Sequence, residues 1–404
     1  MKPFEETLVT MSNEWVGAGL ISPPQREAIL SRHPVPAAGS SSHRFLAILA
    51  GIGGALFVVG VSLVIKSNWD QIGDWVKIGG LVALLAGAYG LGWRLKISLG
   101  RYPKLGDACL MVGAVLFLLG IALVSQIFHI DSRPANGVLL WWVGIVSVPW
   151  LMRAKGAQLV SVAAVLIWLG LEFDARDSWL RLSPELDRWY NNDFYLFAAA
   201  GFLVGAALVN FGTALRAGRH ADFAGLHEKL GLGLMGWALY ALGFTWSVHH
   251  WSRHVIHAAR WQPVTLLVVA AIATAGWAAA KNRAGAKQMA WLILPGLVPV
   301  VAHLFGVELA DSGWLWGGLA CVALFLLNVG MIRVGLAEGR EGWINLGMAG
   351  IALNVVTRYF LLFGTMLEGG VFFIMTGLLV LGLGFALERK RRSLVSVVRK
   401  EATS

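Results

Sequence analysis

The chain has 404 residues, of which 57% are hydrophobic and only 14% charged, and its formal net charge is +10. A soluble domain carries about 25% charged residues, so this composition excludes an ordinary soluble protein and indicates a membrane protein. The 49 glycines and 19 tryptophans fit this class, because small residues let helices approach closely in lipid and tryptophans form a belt at the membrane surface.

The N-terminal residues 1–36 predict a short cytosolic helical hairpin. A first amphipathic helix ends near Gly19, and a second begins at Ser22-Pro23-Pro24-Gln25. Ser22 is the expected N-cap, and Gln25 closes a capping box with it. Residues 37–44 are rich in Ala, Gly and Ser and predict a flexible linker. A hairpin of this size is too small for a catalytic domain, so we interpret it as a contact module or an N-terminal cap.

Twelve apolar stretches follow the linker, most of them near the length of about 20 residues that crosses the hydrocarbon core of a bilayer. We therefore predict an all-α, polytopic transmembrane helix bundle over residues 45–387. The fourth and fifth stretches are short enough to form a re-entrant pair instead. The first stretch is expected to remain as a membrane anchor rather than a cleaved signal peptide. The predicted spans are 45–65, 76–93, 105–125, 137–152, 157–171, 195–215, 230–248, 262–280, 286–304, 313–332, 342–363 and 369–387.

The charges between the spans alternate from one loop to the next. About three quarters of the 33 Lys and Arg residues fall on the side of the N-terminus, and the opposite loops are net acidic. The positive-inside rule then places both termini in the cytoplasm, including a basic tail over residues 388–404. This asymmetry predicts contact with anionic lipid at the cytoplasmic face and no nucleic-acid partner. The longest internal cytoplasmic loop, 216–229, follows the sixth span, which is compatible with a six-plus-six division.

Two parts of the chain resemble known families. Gly19-Leu20-Ile21-Ser22, Ser67-Asn68-Trp69-Asp70 and Gln126-Ile127-Phe128-His129-Ile130 resemble the membrane-protein family called domain of unknown function 2157. The end of the chain, with Arg358-Tyr359-Phe360 and Glu388-Arg389-Lys390-Arg391-Arg392, resembles its companion family, domain of unknown function 4401. The resemblance implies an integral bacterial membrane protein and no particular activity.

The first candidate site is a polar cluster at the outer ends of spans one and three. Amide, imidazole and carboxylate side chains at this depth are able to bind a polar solute or to relay protons. The alternative is that they cap helix ends and fix the loops. The members of this cluster are Asn68, Trp69, Asp70, Asp74, Gln126, His129 and Asp131.

The second candidate site is Arg358, in the outer part of span eleven. An unpaired guanidinium inside a span is costly, so we predict a carboxylate or amide partner. Asn354 lies one turn away on the same helix face, and Glu368 is a carboxylate near the outer surface. Other carboxylates near that surface are Glu308, Asp311 and Asp70. Arg358 then either locks helices together in a structural ion pair, or serves as an anion-binding or gating residue.

The third pattern is a set of outer histidines, His250, His254 and His257. On a helix they would share one face, a spacing that is able to chelate a transition metal. Arg253 and Arg260 oppose a cation there, so we expect surface histidines and no metal or other cofactor. Phosphate-binding loops, zinc-protease motifs and hydrolase motifs are absent from the sequence, which therefore offers no support for an ATPase, a zinc protease or a hydrolase of these classes.

The leading functional hypothesis is a transporter-like or small-solute-binding membrane protein with a polar site in the outer half of the bundle. The alternative is a non-transporting envelope scaffold or sensor that binds partner proteins. A third hypothesis is an intramembrane enzyme acting at the outer leaflet. A transporter needs access from both sides and an enzyme needs paired acid and base groups, whereas a scaffold needs neither.

Overall fold

The computed structural model describes residues 4–32, 71–100, 102–183, 192–244, 259–305, 313–363 and 370–401. The chain divides into two compact units, residues 1–77 and 78–404. Within the described residues the regular structure is helical and contains no strand, which confirms the predicted all-α class.

The first unit contains the predicted N-terminal hairpin. Helix α1 is Phe4–Gly17 and helix α2 is Pro23–Arg32. The Ser22 amide donates to Oε1 of Gln25 over 2.8 Å, and the Gln25 amide donates to Oγ of Ser22 over 3.4 Å. These two reciprocal bonds satisfy free N–H groups at the start of α2 and confirm the predicted capping box.

Long apolar helices make up the rest of the described chain. Most of them begin and end within a few residues of the predicted spans. They are α3 (Asp74–Trp93, continued by a π-helical turn at Arg94–Ser98), α4 (Pro103–Ile127), α5 (Pro134–Ile145), α6 (Ser147–Met152), α7 (Lys155–Asp174), α8 (Asn192–Leu215), α9 (Ala224–Leu242), α10 (Trp261–Lys281), α11 (Arg283–Leu304), α12 (Gly313–Ala337), α13 (Glu341–Phe363) and α14 (Gly370–Glu401).

Eight helices of the described residues are long and apolar enough to cross a membrane: α3, α4, α5 with α6, α7, α8, α10, α11 and α12. They correspond to eight of the twelve predicted spans. The first predicted span, 45–65, lies outside the described residues. Helices α9, α13 and α14 form where spans are predicted, but they are not among these eight. A polytopic membrane bundle is therefore established, and the number twelve stays a prediction.

The predicted span 137–152 is interrupted near its middle. One helix ends at Ile145 and the next begins at Ser147, with Pro149 inside its first turn. Proline has no N–H, so the carbonyl four residues before it loses its helical partner. The joined segment Pro134–Met152 and the following helix Lys155–Asp174 are each long enough to cross the membrane. By length, a re-entrant pair is therefore not required here.

The main hydrophobic core lies among α8, α9, α11 and α12. Helices α8 and α9 approach so closely that backbone contacts backbone. A Cβ added to Gly231 would lie 2.5 Å from the carbonyl oxygen of Gly205, and one added to Gly205 would lie 2.7 Å from that of Gly231. Glycine is therefore required at this crossing, as expected for helices that pack in lipid.

Loops that are predicted to share one side of the membrane meet at one end of the second unit. Lys96 forms an ion pair with Asp107, and its Nζ also donates to the Arg153 carbonyl over 2.8 Å. Arg153 in turn donates to the Arg219 carbonyl over 3.5 Å. Three predicted cytoplasmic loops thus contact one another.

The loops predicted to lie outside also meet. Arg133 pairs with Glu172 over 2.9 Å, and the Arg260 amide donates to the Leu182 carbonyl over 2.9 Å. This grouping agrees with the alternation of loops read from the sequence.

Candidate functional site

The predicted outer polar cluster is only partly within the described residues. Asn68, Trp69 and Asp70 lie outside them. Asp74 forms an ion pair with Lys77 one turn further along α3, over 3.1 Å. The predicted common pocket of this cluster therefore stays a prediction.

Gln126, His129 and Asp131 are exposed at the end of α4. His129 has a positive φ of 50°, and the Ile130 amide donates to the Ser125 carbonyl over 2.9 Å. A left-handed residue followed by this long-range bond is the usual way to close the carbonyl end of a helix. The backbone of His129 therefore ends α4, which favours the capping interpretation at this residue.

Arg358 extends from α13 to the carbonyl end of α9. Its Nη1 donates to the Gly243 carbonyl over 2.9 Å, and its Nη2 donates to the Tyr240 carbonyl over 3.3 Å. Its Nε lies 3.4 Å from Oδ1 of Asn354, a residue that is 8% exposed. The prediction of an amide partner for Arg358 is confirmed. The two carbonyl acceptors were not predicted.

Aromatic side chains and a glycine shape the surroundings of this guanidinium. The Arg358 Cζ lies 4.7 Å from the centre of the Phe244 ring and 5.8 Å from that of Tyr240, so both rings interact with the cation. The Tyr240 hydroxyl is 2.9 Å from that of Thr357. A Cβ at Gly243 would collide with Nη2 of Arg358. The absence of a side chain at Gly243 is what lets the guanidinium reach the carbonyl.

The positive charge of Arg358 is only partly balanced. Among the described residues, no carboxylate forms an ion pair with it within 4.0 Å. Three of its five N–H donors bind Asn354, Gly243 and Tyr240, which leaves two without a partner among the described residues. Glu368, the predicted carboxylate partner, lies outside the described residues. Within the described part, the site therefore consists of a fixed cation with spare donors.

A second charged cluster, at the opposite end of α9, was not predicted. Glu228 is fully buried and accepts from Nε and Nη2 of Arg216 over 2.5 and 2.7 Å. It also accepts from Nη1 of Arg340 over 2.9 Å. Glu338 binds the same two arginines, over 3.0 Å to Arg216 and 2.8 Å to Arg340. We call these four residues the Arg–Glu quartet.

The Arg–Glu quartet joins two helical hairpins, because the arginine of each hairpin binds the glutamate of the other. The loop between α8 and α9 supplies Arg216, and the second turn of α9 supplies Glu228. The connection between α12 and α13 supplies Glu338 and Arg340, and each arginine bridges both carboxylates. Burial lowers the pKa of Arg216, but its bonds to Glu228 and Glu338 outweigh this and raise it overall. The quartet thus forms a closed network of ion pairs between the two hairpins.

The three outer histidines whose spacing would suit a metal ion, His250, His254 and His257, lie outside the described residues. Elsewhere, no group of three or more His, Cys, Asp or Glu side chains within the described ranges is placed to hold a metal ion. The part of the chain that the structure covers therefore offers no support for a metal centre.

The fold and the paired charges inside it define the class of this protein as a polytopic helical membrane protein. Residues 13–158 match the family model described as "Predicted membrane protein (DUF2157)". This match confirms the resemblance of the N-terminal part. It does not reach the C-terminal end, where the resemblance to domain of unknown function 4401 stays a prediction. No curated protein and no solved structure gives a significant match to the chain.

Proposed function

We propose that this protein is a transporter-like membrane protein that binds a small anionic solute in the outer half of its bundle. The observation that carries the proposal is the fixed guanidinium of Arg358, which has two spare donors and no carboxylate partner among the described residues. The planar fork of arginine suits carboxylate and phosphate oxygens. In this proposal the guanidinium of Arg358 binds the anion, and Asn354 orients the guanidinium.

The position of Arg358 favours reversible binding. The carbonyl end of a helix carries roughly half a negative charge, so an anion at Arg358 would meet roughly half a net positive charge. A solute that passes through a membrane protein must bind well enough to enter and weakly enough to leave. A cation that is partly balanced by the end of α9 meets both conditions, whereas a fully paired one would bind no anion.

The test is an anion titration of the purified protein. Acetate, succinate, phosphate and sulfate are added at constant ionic strength, and the thermal midpoint is measured for the wild type and for Arg358→Gln. We expect at least one anion to raise the wild-type midpoint and to have no effect on the variant. Arg333→Gln is the matched control, because it removes an exposed positive charge from α12.

An anion that stabilises the wild type is then applied as a gradient to proteoliposomes. We expect an anion-dependent current that Arg358→Gln loses and Arg333→Gln keeps. If none of the four anions stabilises the wild type, or if Arg358→Gln responds like the wild type, the proposal is wrong. Stabilisation without current would instead favour the alternative of a non-transporting sensor.

We also propose the bacterial inner membrane as the location, with both termini in the cytoplasm and anionic lipid at that face. The support is the excess of Lys and Arg in the loops on the N-terminal side. The meeting of those loops at one end of the second unit agrees with this arrangement.

A further inference from the structure

A groove of about 700 Å³ lies between α8, α10 and α11. Helices α10 and α11 are joined by Asn282 alone, and both pack against α8, which forms the floor of the groove. The walls are aliphatic over nearly their whole length. Several of the lining residues on α10 and α11 are alanines, whose small side chains leave the space between the helices open. We call this feature the α10–α11 groove.

One end of the groove is basic. Arg283 and Lys287, in the first turns of α11, line it and are exposed. This end lies beside the last turns of α8, because a Cβ on Gly285 would be 3.0 Å from Cγ2 of Thr213. None of the residues lining the groove is acidic. A negatively charged group is therefore favoured at this end.

Asn210 on α8 is a second polar feature of the groove. It lines the groove one turn deeper than Thr213 and is only 6% exposed. Its side-chain amide makes no hydrogen bond to another residue within the part of the chain that the structure describes. A ligand in the groove that supplies a carbonyl or hydroxyl would therefore give this amide a hydrogen-bond partner.

We infer that the α10–α11 groove binds one anionic phospholipid. The phosphate lies between Arg283 and Lys287, an ester carbonyl accepts from the Asn210 amide, and an acyl chain follows the aliphatic walls. From Lys287 to Val301 the groove runs along roughly 21 Å of helix. This length exceeds half of the ~30 Å hydrocarbon core, so a chain from one leaflet fits within it.

The arrangement distinguishes this ligand from others. Free phosphate would use the basic end and leave the aliphatic walls and the buried amide unoccupied. A neutral lipid would fill the walls but gain nothing from Arg283 and Lys287. Only a ligand with an anionic head, an ester carbonyl and an acyl chain uses all three parts of the groove.

The experiment is native mass spectrometry of the full-length protein with phosphatidylglycerol or phosphatidylcholine of identical acyl chains. We expect the wild type to retain one phosphatidylglycerol at least about tenfold more strongly than one phosphatidylcholine. The double variant Arg283→Gln/Lys287→Gln should lose this preference. Both side chains are exposed, so their replacement leaves the fold intact. Asn210→Leu should weaken retention of both lipids.

The matched control is Arg389→Gln/Lys390→Gln, which removes two exposed basic residues from α14. It should keep the full preference for phosphatidylglycerol. The inference is overturned if the wild type retains both lipids equally, or if the control loses the preference as fully as the groove variant. It is also overturned if millimolar inorganic phosphate displaces the lipid, or if the groove variant changes only the oligomeric state.

Discussion

Arg358 donates a hydrogen bond to the backbone carbonyl of Gly243 over 2.9 Å, although 115 residues separate them in the chain. The same helix, α9, is held at its other end by Arg216 and Arg340, which bind Glu228. Arginines from other elements thus fix both ends of a helix whose residues are largely buried. Because an arginine stays charged at any physiological pH, the positive partner of each attachment is present throughout that range.

Replacing Glu228 by Gln should destabilise the protein severely. The variant leaves two arginines facing a neutral amide at a fully buried position. Removing one partner of a buried ion pair costs about 3–5 kcal/mol. We expect a clear fall in the thermal midpoint in detergent, measured by intrinsic tryptophan fluorescence.

Glu388→Gln provides the comparison for Glu228→Gln. Glu388 pairs with Arg392 on the exposed surface of α14, with side chains that are 42% and 78% exposed. An exposed pair contributes little, so the midpoint should hardly change. Equal thermal midpoints for the two variants would show that the Arg–Glu quartet does not stabilise the packing of the two hairpins.

A methyl group at Gly231 should separate α8 from α9. The added Cβ meets the Gly205 carbonyl at 2.5 Å, and a backbone atom has no alternative rotamer. Gly231→Ala should therefore lower the thermal midpoint or the yield of folded protein. Gly233→Ala on the same helix meets nothing within 4 Å and should be neutral or slightly stabilising, because Ala favours a helix over Gly. The explanation fails if the two variants have the same stability.

Acid should destabilise the protein in part through His227, which lies in the first turn of α9 before the predicted span 230–248. Burial lowers the pKa of His227, and its bond to the Phe223 carbonyl and the charge of Glu228 offset part of this effect. The unfolded chain, with a histidine pKa of about 6.5, then binds a proton that the folded chain does not. The stability from this group is full above that pH and is lost as the pH falls below it.

The pH measurement compares thermal midpoints at about pH 7.5 and about pH 5.5, on either side of the ordinary histidine pKa. His227→Gln should show a smaller acid-induced fall than the wild type. A variant that falls as far as the wild type would mean that other groups cause the acid sensitivity.

The topology is tested with reporter fusions at loop positions. Fusions after residues 98, 222, 284 and 395 should report the cytoplasm, and fusions after 72, 130, 183 and 309 should report the periplasm. The reason is the excess of basic residues in the first group of loops. Reversal of every fusion would contradict the orientation and would leave the grouping of loops in the structure unaffected.

Local features of the fold were predictable because short-range physics decides them. The apolar run 105–125 gave α4 within two residues at each end, and Ser22 with Gln25 gave the capping box. The need of Arg358 for an amide partner followed from the cost of an unpaired cation in a span.

Long-range features were not predictable from the sequence alone. Glu228 and Arg340 are 112 residues apart, and their contact depends on how two hairpins pack against each other. Hydropathy gives the helices but not their neighbours. The same applies to the α10–α11 groove, where Asn210 looks like one polar residue in an apolar run. For the Arg–Glu quartet, the sequence offered one signal: the loop 216–229 and the connection between α12 and α13 each carry an arginine and a glutamate.

The most direct test of the anion site is Asn354→Asp. The new carboxylate would stand beside the Arg358 guanidinium, where Oδ1 of Asn354 is 3.4 Å from Nε in the wild type. It neutralises the cation without removing any hydrogen bond to α9. We therefore predict that the variant has at least the wild-type thermal midpoint and no longer binds the anion that stabilises the wild type, as measured by isothermal titration calorimetry. A folded Asn354→Asp protein that binds this anion with wild-type affinity would contradict the account.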